Sequence, residues 1–251
     1  MQLERKMPNR TLVAVATYNE IATLPRLVEE VLRHAPDVDI LVIDDNSPDG
    51  TSQWCESKMA TEPRLRCMRR EGKLGLGTAL AAAMQYAAQR REQYEYLVTM
   101  DADFSHPPER LPALMAAMAP PEMPPIDVAI GSRYIAGGRI AGWPWTRHLM
   151  SRAVNLVARW LLGMSPKDCS SGYRCYRVAM LARLDFREIL SHGYSFEEEI
   201  LWRLQRLGAR FAEVPIAFVN RRQGHSKING RELVASAWVL LRLAAKGLLR
   251  R

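Results

Sequence analysis

Four short apolar runs mark the first half of the chain: Thr11 to Ala16 (TLVAVA), Ile40 to Ile43 (ILVI), Tyr96 to Met100 (YLVTM) and Asp127 to Ile130 (DVAI). They are apolar on both sides rather than alternating, which predicts strands buried between two helix layers in a parallel sheet. Helical spacing falls between them. Leu24, Leu27, Val28, Val31 and Leu32 repeat at three and four, and Ala79 to Gln89 follows Gly75-Leu76-Gly77-Thr78 as an alanine-rich helix. Beyond them the pattern predicts helices at Trp145 to Leu162 and Phe196 to Leu207, a strand at Arg210 to Val219, and a basic loop at Arg221 to Lys227. Ala119 to Pro125 (APPEMPP) reads as a surface connection. Strand and helix alternate, so the expected fold is an open α/β sheet built from βαβ units.

Polar clusters follow the ends of the first three strands, where open α/β sheets bind ligands. Asp101 and Asp103 close the third. Two carboxylates at i and i+2 repel each other and call for a cation or a shared proton. Oxygen ligands with open water positions suit Mg²⁺ or Mn²⁺. A solvated turn leading into a helix is the alternative for so short a spacing. Asp44 and Asp45 close the second strand, where an acid can accept from a ribose or a base edge; the Asn46 to Gly50 segment also fits an ordinary turn. Lys73 precedes Gly75-x-Gly77, which can approach a phosphate or simply start a helix. Thr17-Tyr18-Asn19-Glu20 closes the first strand. Together the three clusters have the arrangement of a nucleotide-sugar site.

The chain resembles family 2 glycosyltransferases of the GT-A fold, and within them the dolichol-phosphate (polyprenyl-phosphate) mannose synthases. The matching stretches are TYNE (17–20), DDNSPDGT (44–51), GKLGLGTA (72–79), DADFSHPPE (101–109), GSRY (131–134), SSGYRCYR (170–177) and RRQGHSK (221–227). The resemblance implies a GT-A catalytic domain over residues 1–230: an open, Rossmann-like, mostly parallel sheet flanked by helices. It implies inverting transfer of mannose from GDP-mannose to dolichyl or polyprenyl phosphate, the alternative being a related enzyme that takes UDP-glucose or another donor. On this reading Asp101 and Asp103 hold Mg²⁺ or Mn²⁺. Thr17, Tyr18, Glu20, Asp44, Asp45, Lys73, Arg221 and Lys227 serve the donor, while Arg133, Arg147 and Ser151 clamp the acceptor phosphate. Ser105 stands where some members carry Gln as a further metal ligand, which leaves a third protein ligand open. Glu199 is expected to orient an arginine, and His106 to be a structural or phosphate neighbour rather than a base.

Charge adds a location. Lys and Arg number 35 against 27 for Asp and Glu, a net +8. Half of that excess lies from Arg231 onward. There Leu233, Ala237, Leu240, Leu241, Ala244 and Leu248 gather on one side of a helical wheel, with Arg231, Arg242, Lys246 and Arg250 on the other. Residues 231–251 are therefore expected to form a basic amphipathic helix at a membrane interface, with Trp238 at headgroup depth; packing on the protein core is the alternative. The tryptophans at 143, 145 and 160 mark a second candidate contact surface, with packing in the core as the alternative. The expected location is cytoplasmic and peripheral to a membrane, reached directly or through a membrane subunit.

Composition excludes other classes. With 48% hydrophobic and 25% charged residues, disorder is not expected. No uncharged apolar stretch is long enough to cross a membrane, and Met1 to Arg10 lacks the apolar region of a secretory signal. Cys55, Cys67, Cys169 and Cys175 show no zinc spacing and are expected to be reduced thiols. No nucleic-acid module motif appears, so nucleic acid is not an expected partner despite the charge.

Overall fold

The first apolar runs form β1 (Thr11–Thr17) and β2 (Asp39–Asp44); β3 (Leu65–Arg69), β4 (Tyr96–Asp101) and β5 (Val128–Ser132) follow. The computed structural model describes residues 10–120, 124–191, 193, 195–219 and 238–246. Further strands are β6 (Arg139–Ala141), β7 (Arg174–Arg177), β8 (Phe211–Pro215) and β9 (Ala217–Val219). Seven of them make one sheet in the order β3-β2-β1-β4-β7-β5-β8, and β6 pairs with β9 in a second, two-stranded sheet. All neighbours in the large sheet are parallel except β7, which runs antiparallel to both β4 and β5. The helices are α1 (Leu24–His34), α2 (Thr51–Met59), α3 (Leu76–Gln89), α4 (Leu111–Ala116), α5 (Trp145–Leu162), α6 (Val178–Leu181) and α7 (Phe196–Arg206).

The doubly apolar strands bury both faces, as expected. Leu12, Ala14, Leu41 and Ile43 join one core with Ala83 and Met84 of α3 and Ile200 and Leu204 of α7. Val13, Val15, Ile40 and Val42 point the other way, into a core with Leu27 and Val31 of α1 and Leu114 of α4. Alternate residues of one strand thus serve different layers.

Several elements depart from the sequence pattern. β3 carries Arg66 and Arg69 and hides as an edge strand, since only one side of it is paired. β7 was masked by Arg174, which is fully buried because Glu197 pairs with it at 2.6 Å. The strand expected at Arg210 to Val219 is two strands in two sheets. It breaks after Pro215, where the Ile216 amide donates to the Ser132 carbonyl and its own carbonyl accepts from Arg139.

Residues 238–246 are helical. Val239, Leu240 and Leu243 sink into the first core, whereas Leu241, expected on the same apolar side as Leu240, is 60% exposed. Trp238 is exposed too, with the Arg242 guanidinium 3.5 Å from its ring centroid. This segment therefore divides its apolar side chains between the protein core and the surface. Ala244 packs half-buried against the same core and Lys246 is exposed. Arg231, Leu233, Ala237, Leu248 and Arg250 lie outside the described residues, as do Arg221 and Lys227. No helix among the described residues is long and apolar enough to cross a membrane.

Candidate active site

β2, β1 and β4 are parallel neighbours, so their carboxyl ends open on one rim; Thr17 pairs with Asp44 and Ala16 with Asp101. The three expected clusters therefore meet. Just past each strand the chain passes through positive φ: Asn19 at 62°, Asn46 at 57° and Phe104 at 61°. These are the only non-glycine residues so placed among the described ones. Such backbone is disfavoured, most of all for a bulky side chain, and tends to collect at binding sites.

Asp101 and Asp103 stand at the rim's centre. The Asp101 carboxylate is 41% exposed, and Asp103 is half-buried. The Ser105 amide donates to Asp103 Oδ1 at 3.0 Å, and the Asp101 amide donates to His106 Nδ1 at 2.9 Å. Burial lowers the His106 pKa, outweighing the opposing pull of Asp101 and Asp103. Among the described residues no cluster of three or more His, Cys, Asp or Glu is arranged to hold a metal. The protein thus offers two hard oxygen ligands with solvent access, a donor set that fits Mg²⁺ or Mn²⁺ completed by water and phosphate oxygens.

On the donor side the structure separates contact residues from supports. Asp44, expected to face the donor, is fully buried. Its carboxylate accepts from Thr17 Oγ1 (2.8 Å), Ser47 N (2.9 Å), Ser47 Oγ (2.6 Å) and Ser52 Oγ. Asp44 and Thr17 thus hold each other and the loop after β2. Asp45 is also buried; it takes Arg70 Nε at 2.6 Å and the Leu74 amide at 3.1 Å. It fixes the Gly72 to Gly75 turn, which brings Lys73 Nζ to 4.5 Å from the Tyr18 ring centroid. Tyr18 and Lys73, both expected at the donor, are thus brought together at the rim. Glu20 sits beside them, its backbone amide held by Thr51 Oγ1 at 3.1 Å. Arg70 was missed by sequence reasoning. It also donates to Thr78 Oγ1 at 2.8 Å, and no spacing signals that contact.

The residues expected at the acceptor lie just past β5 and on α5. Arg133 was expected in the phosphate clamp, but it is 8% exposed and forked onto Asp168: Nε to Oδ2 at 2.8 Å, Nη2 to Oδ1 at 2.7 Å. Burial opposes its charge, yet Asp168 beside it raises the pKa. Its Nη2 also donates to Ser170 Oγ at 2.8 Å. Arg133 thus braces the GSRY segment against the SSGY segment. A Cβ at Gly138 would come within 2.7 Å of the Ser132 carbonyl oxygen, so the glycine of this loop is a steric requirement. Ser151 accepts from the Tyr134 hydroxyl at 2.8 Å. Arg147, one turn earlier, lies over Trp143, 4.2 Å from the ring centroid. Tyr134, Ser151, Arg147 and Trp143 converge at the start of α5.

Behind the rim, α7 starts with three buried acids. Glu197 pairs with Arg174, and Glu199 accepts from Arg203 Nε (2.8 Å) and the Ser191 amide (2.8 Å), so it does orient an arginine. Glu198 has one buried oxygen with no hydrogen-bond partner, and burial pushes its pKa to about 7.

α5 buries only Asn155, Ala158 and Leu162. Trp145 (75%) and Trp160 (84%) are exposed, together with Leu149, Leu156 and Val157. Core packing of these two tryptophans is thereby excluded.

Residues 12–189 match Glycosyl transferase family 2. The chain is 41% identical over 221 residues to the undecaprenyl-phosphate mannosyltransferase of Micrococcus luteus, covering 88% of each. It is 40% identical over 243 residues to the polyprenol monophosphomannose synthase of Mycolicibacterium smegmatis, covering 96% of this chain and 89% of that one. Among solved structures, glucosyl-3-phosphoglycerate synthase from Mycobacterium tuberculosis, in complex with Mn²⁺, uridine diphosphate and glucosyl-3-phosphoglycerate, aligns with a TM-score of 0.64. That alignment has 22% identity and covers 94% of this chain and 78% of that one. The rim of carboxylates on a GT-A sheet and the match across most of its length make this chain a member of glycosyl transferase family 2.

Proposed function

We propose that the chain transfers mannose from GDP-mannose to a polyprenyl phosphate with inversion at the anomeric carbon, releasing GDP. The observation that carries this reading is the identity of about two residues in five, along nine-tenths of the chain, with relatives named for polyprenyl-phosphate mannosyl transfer. A divalent cation held by Asp101 and Asp103 would offset the charge on the departing diphosphate. The acceptor is a phosphate monoester with a second pKa of about 6. It is already largely dianionic near neutral pH, so it needs no strong base. That suits a rim where the one buried imidazole among the described residues has its Nδ1 engaged by the Asp101 amide. Arg147 and Ser151 share a face of α5 and supply cation and hydroxyl to the acceptor phosphate. Tyr18 and Lys73 take the donor.

The lipid is met at a peripheral membrane surface. The exposed tryptophans and leucines of α5 alternate with Arg152 and Arg159, the mixture that binds an anionic interface. Exposed Trp238 and Leu241 add to the apolar surface of the molecule.

A donor-by-acceptor matrix tests the assignment. Radiolabelled GDP-mannose and UDP-glucose are each offered to polyprenyl phosphate with Mg²⁺ or Mn²⁺. Labelled lipid is expected from GDP-mannose; lipid product from UDP-glucose alone would overturn the donor.

A further inference from the structure

We propose that His106 is the positioning residue of the Asp101–Asp103 pair: it captures the backbone amide of Asp101 and so fixes where that carboxylate stands. The proposal rests on reading the pair as a divalent-cation site.

An amide can only donate, so at 2.9 Å from the Asp101 nitrogen His106 Nδ1 must present its lone pair. The ring proton of the neutral imidazole is then on Nε2. The ring is held on several sides. It is 2% exposed, stacks on Tyr173 at 5.1 Å with 10° between planes, and meets Phe218 edge-on at 6.1 Å. Tyr173 in turn donates its hydroxyl to the Pro107 carbonyl at 3.0 Å, next to the histidine in sequence. A Cβ at Gly172 would lie 3.6 Å from His106 Cε1, so that turn also packs on the imidazole.

The contact fixes the backbone and leaves the carboxylate available. His106 Nε2 is 3.8 Å from Asp101 Oδ2, beyond hydrogen-bonding range. The arrangement also argues against two other roles. A direct ligand would need a lone pair on Nε2, which bears the proton. A base would need Nδ1, which the amide occupies. Asp103 is fixed separately, by the Ser105 amide. Asp101 is thus held through its backbone amide by His106 and Asp103 through its carboxylate by Ser105, whose hydroxyl also lies 3.5 Å from Asp101 Oδ2. Partners of this kind around a metal ligand commonly change metal affinity by 10–100-fold when removed.

The test measures Mn²⁺ binding in the presence of GDP by electron paramagnetic resonance, with no sugar donor or lipid and so no turnover. His106→Asn places an amide oxygen near the position of Nδ1. His106→Gln reaches toward Nε2 instead, and His106→Leu removes both. Asn is expected to keep Mn²⁺ affinity within about threefold, and Gln and Leu to lose roughly tenfold or more. Wild-type affinity in Leu, or rescue by Gln and not by Asn, would overturn the proposal. Should Leu fail to fold by circular dichroism, the Asn and Gln pair decides alone. Asp103→Ala is the control: if it binds Mn²⁺ with GDP as wild type does, the cation reading itself has failed, whatever the histidine series shows.

Discussion

The guanidinium of Arg147 lies over the indole of Trp143, 4.2 Å from its centroid. The same indole meets Phe218 at 5.3 Å and His148 at 5.6 Å, so it is wedged rather than free to turn. A cation–π contact of this kind contributes about 0.5–2 kcal/mol. Trp143→Leu is expected to raise the KM for the lipid phosphate roughly three- to tenfold. The donor KM should not change, and Trp143→Phe should recover part of the loss. Equal rises in both constants would show that Trp143 does not act through Arg147.

Asp103→Ala is expected to abolish transfer while the fold survives, because Asp103 is half-buried at the rim and belongs to neither hydrophobic core. Turnover near wild type in that variant would remove the metal assignment.

Glu198 gives a pH dependence of stability. Burial raises its pKa from 4.5 to about 7, with Glu197 and Asp168 adding to the rise and Arg174 opposing it. The folded state therefore holds a proton that the unfolded state releases. The stability tied to that proton is complete below pH about 4.5 and is lost as pH rises through about 7, up to about 3 kcal/mol. Glu198→Gln should flatten the fall in Tm between pH 5 and 8. Parallel Tm profiles for the two proteins would contradict this.

Asp44→Ala should act on stability before it acts on donor binding. The substitution strands three hydroxyls and one amide in a buried loop. Each stranded polar group costs about 1–3 kcal/mol. A fall in Tm of about 10 °C is expected by calorimetry. An unchanged Tm with lost donor affinity would return Asp44 to the list of donor ligands.

Trp145→Asp with Trp160→Asp should reduce sedimentation with anionic vesicles at least about fivefold. GDP binding should stay intact. Unchanged sedimentation would mean that α5 does not touch the bilayer.

The βα alternation, the position of α5 and the meeting of three polar clusters were legible in the sequence. Each depends on local pattern, and parallel neighbours must open their carboxyl ends on one side. Which acids reach the ligand was not legible. Asp44 and Asp45 are adjacent in sequence, yet each is consumed by a different set of loop partners, and Arg133 meets Asp168 thirty-five residues away. β7 was missed because a fully buried arginine reads as a surface residue until its partner, Glu197, is seen. The exposure of α5 was only half legible: its apolar residues fit a core as well as a surface, and only three-dimensional packing shows how few of them turn inward.

β7 runs against its neighbours, and that reversal has a consequence for how the enzyme can vary. It returns the Asp168 to Tyr173 connection to the rim that the parallel strands already share. Among the described residues, groups assigned to nucleotide and cation come from residues 17–103, and those around the acceptor from residues 133–173. The catalytic rim is thus divided along the chain into two consecutive blocks. A change in the second block can therefore leave the carboxylate rim of the first undisturbed.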